Sequence, residues 1–280
     1  MSEPKSRLRH VLRFRLLVLL ASLIATVALA APGLTAGAFN EFNVELPTGL
    51  REIAGRGKPS PVTHALITIA VPPKMDLARE RPVLVISATS DPGYHSSRRL
   101  LRAYAETALA SGWILVAADP AEDITVEQDD VPLRLALNTA ALAVMGRQWA
   151  RGATAPLAFG GFSGGAKYAG WLAAAFASQG RTVIGVYLAG VNQDTLLDAA
   201  TQFKVLNSDF KRVPVFLQSG EQDEVATTAN HQEVAAELIR AGFKNVRIVS
   251  FPGPHEVEPG PMRTALDWFS ELAALPATAK

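Results

Sequence analysis

Short apolar runs alternate along this chain with longer stretches of helical pattern. The apolar runs predict strands at Ala65–Val71, Pro82–Ser87, Ile114–Ala118, Pro156–Phe159, Val183–Leu188, Val213–Gln218 and Val246–Phe251. Helices are predicted between them at Ser97–Ser111, Pro132–Arg151, Gly164–Ser178, Asn230–Ala241 and Pro261–Leu275. With one early strand near Phe42–Leu46, the pattern indicates an α/β fold. We expect a mostly parallel central sheet of about eight strands with helices on both faces.

The first thirty residues have a different pattern from the rest of the chain. Five basic residues between Lys5 and Arg15 precede an uncharged apolar run that ends in Ala28-Leu29-Ala30. A membrane anchor would need about 20 apolar residues, and this run is shorter. We therefore expect residues 1–30 to be a cleaved secretory signal peptide, which predicts a periplasmic or extracellular protein without stable membrane association.

The remaining composition excludes several classes of function. Removing residues 1–30 leaves 22 basic against 25 acidic side chains, so the mature chain has no basic excess for nucleic acid. The absence of cysteine excludes disulfides, a thiol nucleophile and thiolate metal ligands, and we expect neither metal nor cofactor. Residues 31–60 are rich in glycine, proline and polar residues and are expected to form an amino-terminal arm, with one α/β domain over 61–280.

The most informative motif is Gly161-Phe162-Ser163-Gly164-Gly165, which fits G-x-S-x-G between a predicted strand and a predicted helix. Such a turn projects its serine outward, although a glycine-rich turn with an ordinary serine gives the same pattern. A phosphate-binding loop would need lysine directly after Gly165, and Ala166 stands there. No dinucleotide fingerprint matches this stretch either, so a nucleotide site is not predicted.

A serine nucleophile needs a base, and histidine is the usual choice. His10 lies in the leader, and His64 opens a strand at the edge opposite the predicted ends of the parallel strands. His231 falls on the expected surface or flank of an amphipathic helix. His95 and His255 are left. His255 is the better candidate, because it follows the last strand and should lie at the same sheet edge as the serine.

The base is best held by an anionic side chain. Asp223 follows the Val213 strand by a few residues and is our choice, with Glu221 as the second candidate. An aspartate that only caps the following turn is the alternative reading of Asp223. Glu256 is adjacent to His255, and neighbouring side chains in an extended loop diverge, so it is not expected to serve.

The strand-GFSGG-helix segment, then SGEQDE and then FPGPHE, with serine, aspartate and histidine in that order, resembles the α/β-hydrolase family over residues 60–275. The resemblance implies that Ser163 is the nucleophile, His255 the general base and Asp223 the group that orients it. It also implies an oxyanion hole from the Gly164 N–H and an N–H after the Pro82 strand.

That second loop departs from the common pattern. Many family members have His-Gly there, whereas this chain reads Ala-Thr-Ser-Asp-Pro-Gly over 88–93, so Thr89 or Ser90 is the expected donor. Tyr94 and His95 on the same loop are candidate substrate-binding residues, although a polar turn without a ligand explains them equally well. Further candidates are Phe162 within the motif and Asn192 after the Val183 strand.

The resemblance implies an exported serine hydrolase that cleaves carboxylic esters through an acyl-enzyme on Ser163. Only about twenty residues separate the Val183 and Val213 strands, which predicts a minimal lid and an open site. Small-molecule or polymer-attached esters are therefore expected, as for dienelactone hydrolases and for feruloyl or polyester esterases. A peptidase of the same fold and a non-catalytic exported binding protein are the alternatives.

Overall fold

The structure, a computed structural model, describes residues 33–76 and 78–274. The predicted signal peptide at 1–30 lies outside these residues. Within them the chain forms a central sheet of eight strands, which confirms the predicted fold class. The strands are β1 Phe39–Glu45, β2 His64–Ala70, β3 Val83–Ser87, β4 Ile114–Pro120, β5 Leu157–Phe162, β6 Val183–Ala189, β7 Val215–Gly220 and β8 Val246–Phe251. Their spatial order is β1-β2-β4-β3-β5-β6-β7-β8.

Seven α-helices within the described ranges cover both faces of the sheet. They are α1 Thr48–Ala54, α2 Ser97–Ala110, α3 Val131–Gln148, α4 Gly164–Ser178, α5 Leu196–Gln202, α6 Thr228–Arg240 and α7 Gly260–Ala274. Each of the five predicted helices is present, whereas α1 and α5 were not predicted. None of the helices in these ranges combines the length and apolar character that a bilayer span requires.

The direction of β2 differs from the sequence-based expectation. Strands β3 to β8 run parallel to one another, but β2 is antiparallel to both of its neighbours, β1 and β4. Because Ala65 pairs with Pro120, His64 lies at the edge where the parallel strands end, so its predicted position at the opposite edge is wrong. Its neighbour is Glu122, with 3.7 Å between imidazole Nδ1 and carboxylate Oε1. Strands β4 and β3 separate β2 from β5 and therefore from Ser163.

Two apolar layers enclose the sheet. Val83 and Val85 of β3 face one layer, to which α1, α3, α4, α5 and α6 contribute. Leu84 and Ile86 of the same strand face the other layer, formed with α2 and α7. All five residues of β3 are buried, as expected for a strand with helices on both sides. The core therefore fixes β3 and its neighbours, and the loops at their carboxyl ends are positioned by that core.

The carboxyl ends of β3, β5, β6, β7 and β8 lie next to one another. Gly161 pairs with Ser87 on one side, and Phe162 pairs with Ala189 on the other. Farther along the edge, Gly220 at the end of β7 pairs with Phe251 at the end of β8. The loops that leave these strands meet at one edge, which is where an open α/β sheet binds its ligands.

The packing of α7 on β6 depends on a missing side chain at Gly185. A Cβ at this position would lie 2.3 Å from Cδ2 of Phe269, whose fully buried ring cannot move aside into solvent. We expect Gly185→Ala to lower the free energy of unfolding by about 1–3 kcal/mol, measured by urea denaturation, because overpacking a core costs that much.

Gly146→Ala is the matched control within helix α3. Its added Cβ would meet only Ala153, at an ordinary contact distance of 3.4 Å. Since alanine favours a helix interior over glycine, this variant should gain about 0.5–1 kcal/mol. Wild-type stability in Gly185→Ala would show that the Phe269 ring does not restrict this position.

Candidate active site

Ser163 lies in a strained turn between β5 and α4. Its φ is 56° and its ψ is −123°, a conformation that costs a non-glycine residue about 1–3 kcal/mol. The turn is held by its backbone: the Ser163 N–H donates to the Ala189 carbonyl at 2.8 Å, and its carbonyl accepts from the Ala166 N–H at 3.0 Å. Ser163 itself is partly exposed. Ser163 therefore lies at the sheet edge in a strained backbone conformation that these hydrogen bonds hold in place.

The glycines around the serine are required by close approach of the backbone. A Cβ at Gly161 would lie 2.3 Å from the Gly165 carbonyl carbon, and a Cβ at Gly165 would lie 2.0 Å from the Ser87 carbonyl oxygen. The start of α4 therefore rests directly on the ends of β5 and β3. Any side chain at either position would push the helix away from the sheet.

Asp223 and His255 form a close pair beyond the ends of β7 and β8. Asp223 Oδ2 lies 2.7 Å from His255 Nδ1, while Oδ1 accepts from the N–H groups of Val225 at 2.8 Å and Ala226 at 2.7 Å. The aspartate thus binds its own loop and the imidazole at once. Its side chain is 1% exposed and that of His255 is 20% exposed. With Nδ1–H donating to the carboxylate, Nε2 is left as the proton acceptor.

Backbone hydrogen bonds tie the two loops together. The Gln222 N–H donates to the Gly253 carbonyl at 2.9 Å, and the Glu221 N–H donates to the Phe251 carbonyl at 2.9 Å. These contacts set the separation of the Asp223 and His255 loops independently of the side chains. The Glu221 and Glu256 side chains are exposed.

The His255 ring packs against Phe162 and Gly190. The Phe162 and His255 ring centroids are 4.6 Å apart, with the ring planes inclined at 38°. Gly190 has a φ of 59°, and a Cβ there would lie 2.9 Å from His255 Cε1 and 2.9 Å from Phe162 Cε2. The imidazole therefore occupies space that only a glycine leaves open. Phe162, a predicted substrate-binding residue, thus also packs on the imidazole.

The loop after β3 brings Thr89 against the start of α4. A Cβ at Gly164 would lie 2.5 Å from Thr89 Oγ1, so the two backbones approach closely. The Thr89 hydroxyl donates to Asp91 Oδ2 at 2.6 Å and accepts from the Asp91 N–H at 3.3 Å. Because the first N–H groups of a helix have no partner within it, the Gly164 N–H is not paired within α4. Thr89 is buried and Ser90 half-buried.

The other predicted substrate-binding residues are exposed to solvent. Tyr94 is 76% exposed, and the His95 side chain is exposed on the same loop. Asn192 is exposed and lines a cavity of about 680 Å³ between the start of α5 and helix α6. That cavity is not lined by Ser163, Asp223 or His255. Asn192 Nδ2 nevertheless donates to the Val225 carbonyl at 3.5 Å, and the Val225 N–H donates to Asp223 Oδ1, so Asn192 also contacts the Asp223 loop.

His231 is fully buried, and its prediction as a surface residue is wrong. Its Nδ1–H donates to the Thr227 carbonyl at 3.0 Å, and its Nε2 accepts from the Val191 N–H at 3.2 Å. The buried imidazole of His231 thus fixes the backbone at Val191, directly after Gly190. A signal was present in the sequence, because His231, Val234 and Leu238 recur at the spacing of a buried helix face.

Burial lowers the pKa of His231, and this effect outweighs the opposing Thr227 carbonyl and Asp223 carboxylate. The folded protein therefore holds a neutral ring where the unfolded chain takes up a proton below about pH 6.5. We expect the free energy of unfolding to fall as the pH drops below that value, and His231→Gln to remove this component. Urea denaturation between about pH 7.5 and 5 measures both.

The control for this titration is His95→Gln, which replaces an exposed imidazole. It should change the free energy of unfolding at pH 7.5 by less than about 0.5 kcal/mol, as is usual for substitutions at exposed positions. An unchanged pH dependence in His231→Gln would instead show that the buried histidine does not contribute to it.

Comparison with known proteins finds no protein-family model and no curated protein that matches this sequence. Solved structures do share its architecture. An α/β serine hydrolase without a lid from Xanthomonas campestris is 17% identical, with a TM-score of 0.56 over 89% of this chain and 100% of that one. A Rhizomucor miehei esterase is 15% identical, with a TM-score of 0.57 over 87% of this chain and 85% of that one.

A third structure, Est1E from Butyrivibrio proteoclasticus with ferulic acid bound, is 16% identical, with a TM-score of 0.53. It covers 76% of this chain and 96% of its own. Identities this low establish the fold alone. Together with the eight-stranded sheet and the helices on both of its faces, they show that this chain has the α/β-hydrolase fold.

Proposed function

We propose that this chain is a serine hydrolase that cleaves carboxylic esters through an acyl-enzyme on Ser163. The observation that carries the proposal is the Asp223–His255 pair, with 2.7 Å between Oδ2 and Nδ1, at the same sheet edge as the strained serine. An aspartate that binds Nδ1–H leaves Nε2 free to take a proton. The lidless serine hydrolase and the esterases that share the fold support the same chemistry.

The reaction follows from these positions. His255 Nε2 takes the hydroxyl proton of Ser163 as Oγ attacks the ester carbonyl carbon. The carbonyl oxygen becomes an oxyanion, which accepts hydrogen bonds from the Gly164 N–H and from an N–H of Thr89 or Ser90. Collapse breaks the bond to the alkoxy oxygen, which leaves as alcohol with the proton from His255. A water molecule, deprotonated by His255, then attacks the acyl-enzyme, and the acid is released as His255 returns the proton to Ser163 Oγ.

The substrate class is suggested by the open site. The connection from β6 to β7 contains only α5, of seven residues, and a short 3₁₀ turn at Phe210–Arg212, so little material covers the serine. Exposed Tyr94 offers an aromatic surface on the loop beside it. We propose small-molecule or polymer-attached esters, and the ferulic acid bound to Est1E makes hydroxycinnamate esters the first to test.

The leader pattern supports export of the enzyme. Removal of residues 1–30 would release the mature domain into the periplasm or the extracellular space. An open site suits substrates met there, including esters attached to polymers. The unusual sequence of the loop after β3 favours the second candidate, an exported binding protein without catalytic activity, and a peptidase of the same fold is the third.

Active-site labelling tests the proposal. Purified protein lacking residues 1–30 should form an adduct with a fluorophosphonate probe at Ser163, detected by mass spectrometry. Ser163→Ala and His255→Ala should each lower the turnover of a p-nitrophenyl ester by about a thousandfold or more, because triad members act as a unit. His64→Gln, at the same sheet edge but beyond β4 and β3, should retain full turnover.

The acid is tested by a matched pair. Asp223→Asn should lower kcat by about 10⁴-fold, since an amide favours the wrong imidazole tautomer, whereas Glu221→Gln should have no effect. Folded protein that gives no adduct would overturn the hydrolase proposal in favour of a binding protein. Cleavage of a matched peptide but not of any ester would favour the peptidase.

Gly190→Ala tests the space that the imidazole needs. The added methyl group would displace His255, and a misplacement of about 1 Å can lower turnover by about 10²-fold. Steady-state kinetics with the same ester measures it. Gly180→Ala is the matched control, because Gly180 also has a left-handed φ, 79°, but no atom within 4 Å of an added Cβ. Equal turnover in the two variants would show that Gly190 does not set the position of His255.

A further inference from the structure

Arg134 is a fully buried residue whose guanidinium uses all five of its N–H donors. Nε and Nη2 donate to the two oxygens of the Asp129 carboxylate at 2.6 and 2.5 Å. Nη2 also donates to the His95 carbonyl at 3.1 Å. Nη1 donates to Ser97 Oγ at 2.6 Å and reaches Asp119 Oδ1 at 3.5 Å.

Two of these acceptors belong to the far end of the loop that follows β3. Ser97 Oγ accepts from the guanidinium and also from the N–H of Ala88, the first residue of that loop, at 3.1 Å. Ser97 Oγ therefore joins the two ends of the 88–97 segment and contacts the Arg134 guanidinium at the same time. Because Thr89 follows Ala88 directly, the position of its backbone depends on this contact.

Asp119 closes the same network from the end of β4. Its Oδ2 accepts from the Ser96 hydroxyl at 2.7 Å, and its Oδ1 accepts from the Ser97 N–H at 2.7 Å. Asp119 thus fixes the start of α2, where the loop ends. Asp119 and Asp129 are both buried, so the cation is compensated inside the protein.

Tyr168 links the network to the helix that follows the serine. Its ring centroid lies 5.5 Å from the Arg134 guanidinium carbon, and its hydroxyl donates to the Asp129 carbonyl. Tyr168 is on α4, which begins at Gly164. The Arg134 guanidinium therefore contacts both α4, which carries the proposed Gly164 donor, and the loop after β3, which carries the proposed donor of Thr89 or Ser90.

Stability alone does not account for a buried cation at this position. Removing a guanidinium from water costs several kcal/mol, and buried ion pairs often add no more stability than apolar side chains of similar volume. A planar fork with five fixed donors instead specifies the geometry of its acceptors. We propose that Arg134 is a positioning residue that holds the 88–96 loop so that the N–H of Thr89 or Ser90 faces the reacting carbonyl. The inference rests on the proposed hydrolase function.

Arg134→Lys and Ser97→Ala test the inference. Lysine keeps the charge but lacks the fork, and alanine removes only the oxygen that joins Ala88 to Arg134. We expect kcat for the p-nitrophenyl ester to fall by about 10²-fold in Arg134→Lys and less in Ser97→Ala, with KM changed by less than about twofold, because an oxyanion donor acts in the transition state.

A trifluoromethyl ketone distinguishes positioning from a general loss of structure. It forms a tetrahedral adduct with an oxyanion on the serine, so its Ki should rise by the same factor as kcat falls. Arg98→Lys is the matched control, since Arg98 on α2 contacts Thr68 and Glu41 through its side chain and should keep wild-type kinetics. Urea denaturation of each variant compares stability with these kinetic changes.

The outcomes separate this inference from the proposed function. Wild-type protein that is not labelled at Ser163 would overturn both. Labelled wild type with unchanged kcat and unchanged ketone Ki in both variants would overturn only the role of Arg134. If Arg134→Lys does not fold, a smaller fall in kcat with a matching rise in ketone Ki in Ser97→Ala supports the inference, and wild-type values there overturn it.

Discussion

The direct contact between the start of α4 and the ends of β3 and β5 is the constraint on which the site depends. No Cβ fits at Gly161 or Gly165, so the helix begins against bare backbone. This contact forces the chain through a left-handed residue at Ser163 and sets the Gly164 N–H beside Thr89. A larger residue in the motif would separate helix, strand and loop together, because all three meet at one point.

The rest of the site is built by loops that hold one another. Backbone hydrogen bonds join the Asp223 loop to the His255 loop. The missing side chain at Gly190 leaves room for the His255 imidazole. Buried polar groups fix the two remaining loops, with His231 behind Gly190 and Arg134 behind Thr89. The apolar layers set the positions of the strands, but polar contacts at their ends set the geometry of the candidate site. Buried polar contacts of this kind are specific because each unpaired group would be costly.

The sequence predicted the parts of the fold that have a local signal. Apolar runs marked β2 to β8, and cap residues marked the long helices, whereas α1 and α5, each of seven residues, are too short to show a periodic pattern. Strand direction was not predictable, because the pattern of β2 is the same in either direction, and His64 was misplaced for this reason. The role of Arg134 has no motif in the sequence, since its acceptors come from the 95–97 segment, Asp119 and Asp129.

The strained backbone at Ser163 affects which amino acids residue 163 can accept without loss of stability. Glycine adopts φ 56° and ψ −123° without strain, so the free energy of folding favours glycine over serine at this position. Selection for stability alone would therefore replace the serine by glycine and keep the turn between β5 and α4. A copy of this gene with glycine at residue 163 would therefore keep the fold, and still match the same solved structures, without the proposed nucleophile. The identity of residue 163 tells more about such a copy than its architecture does.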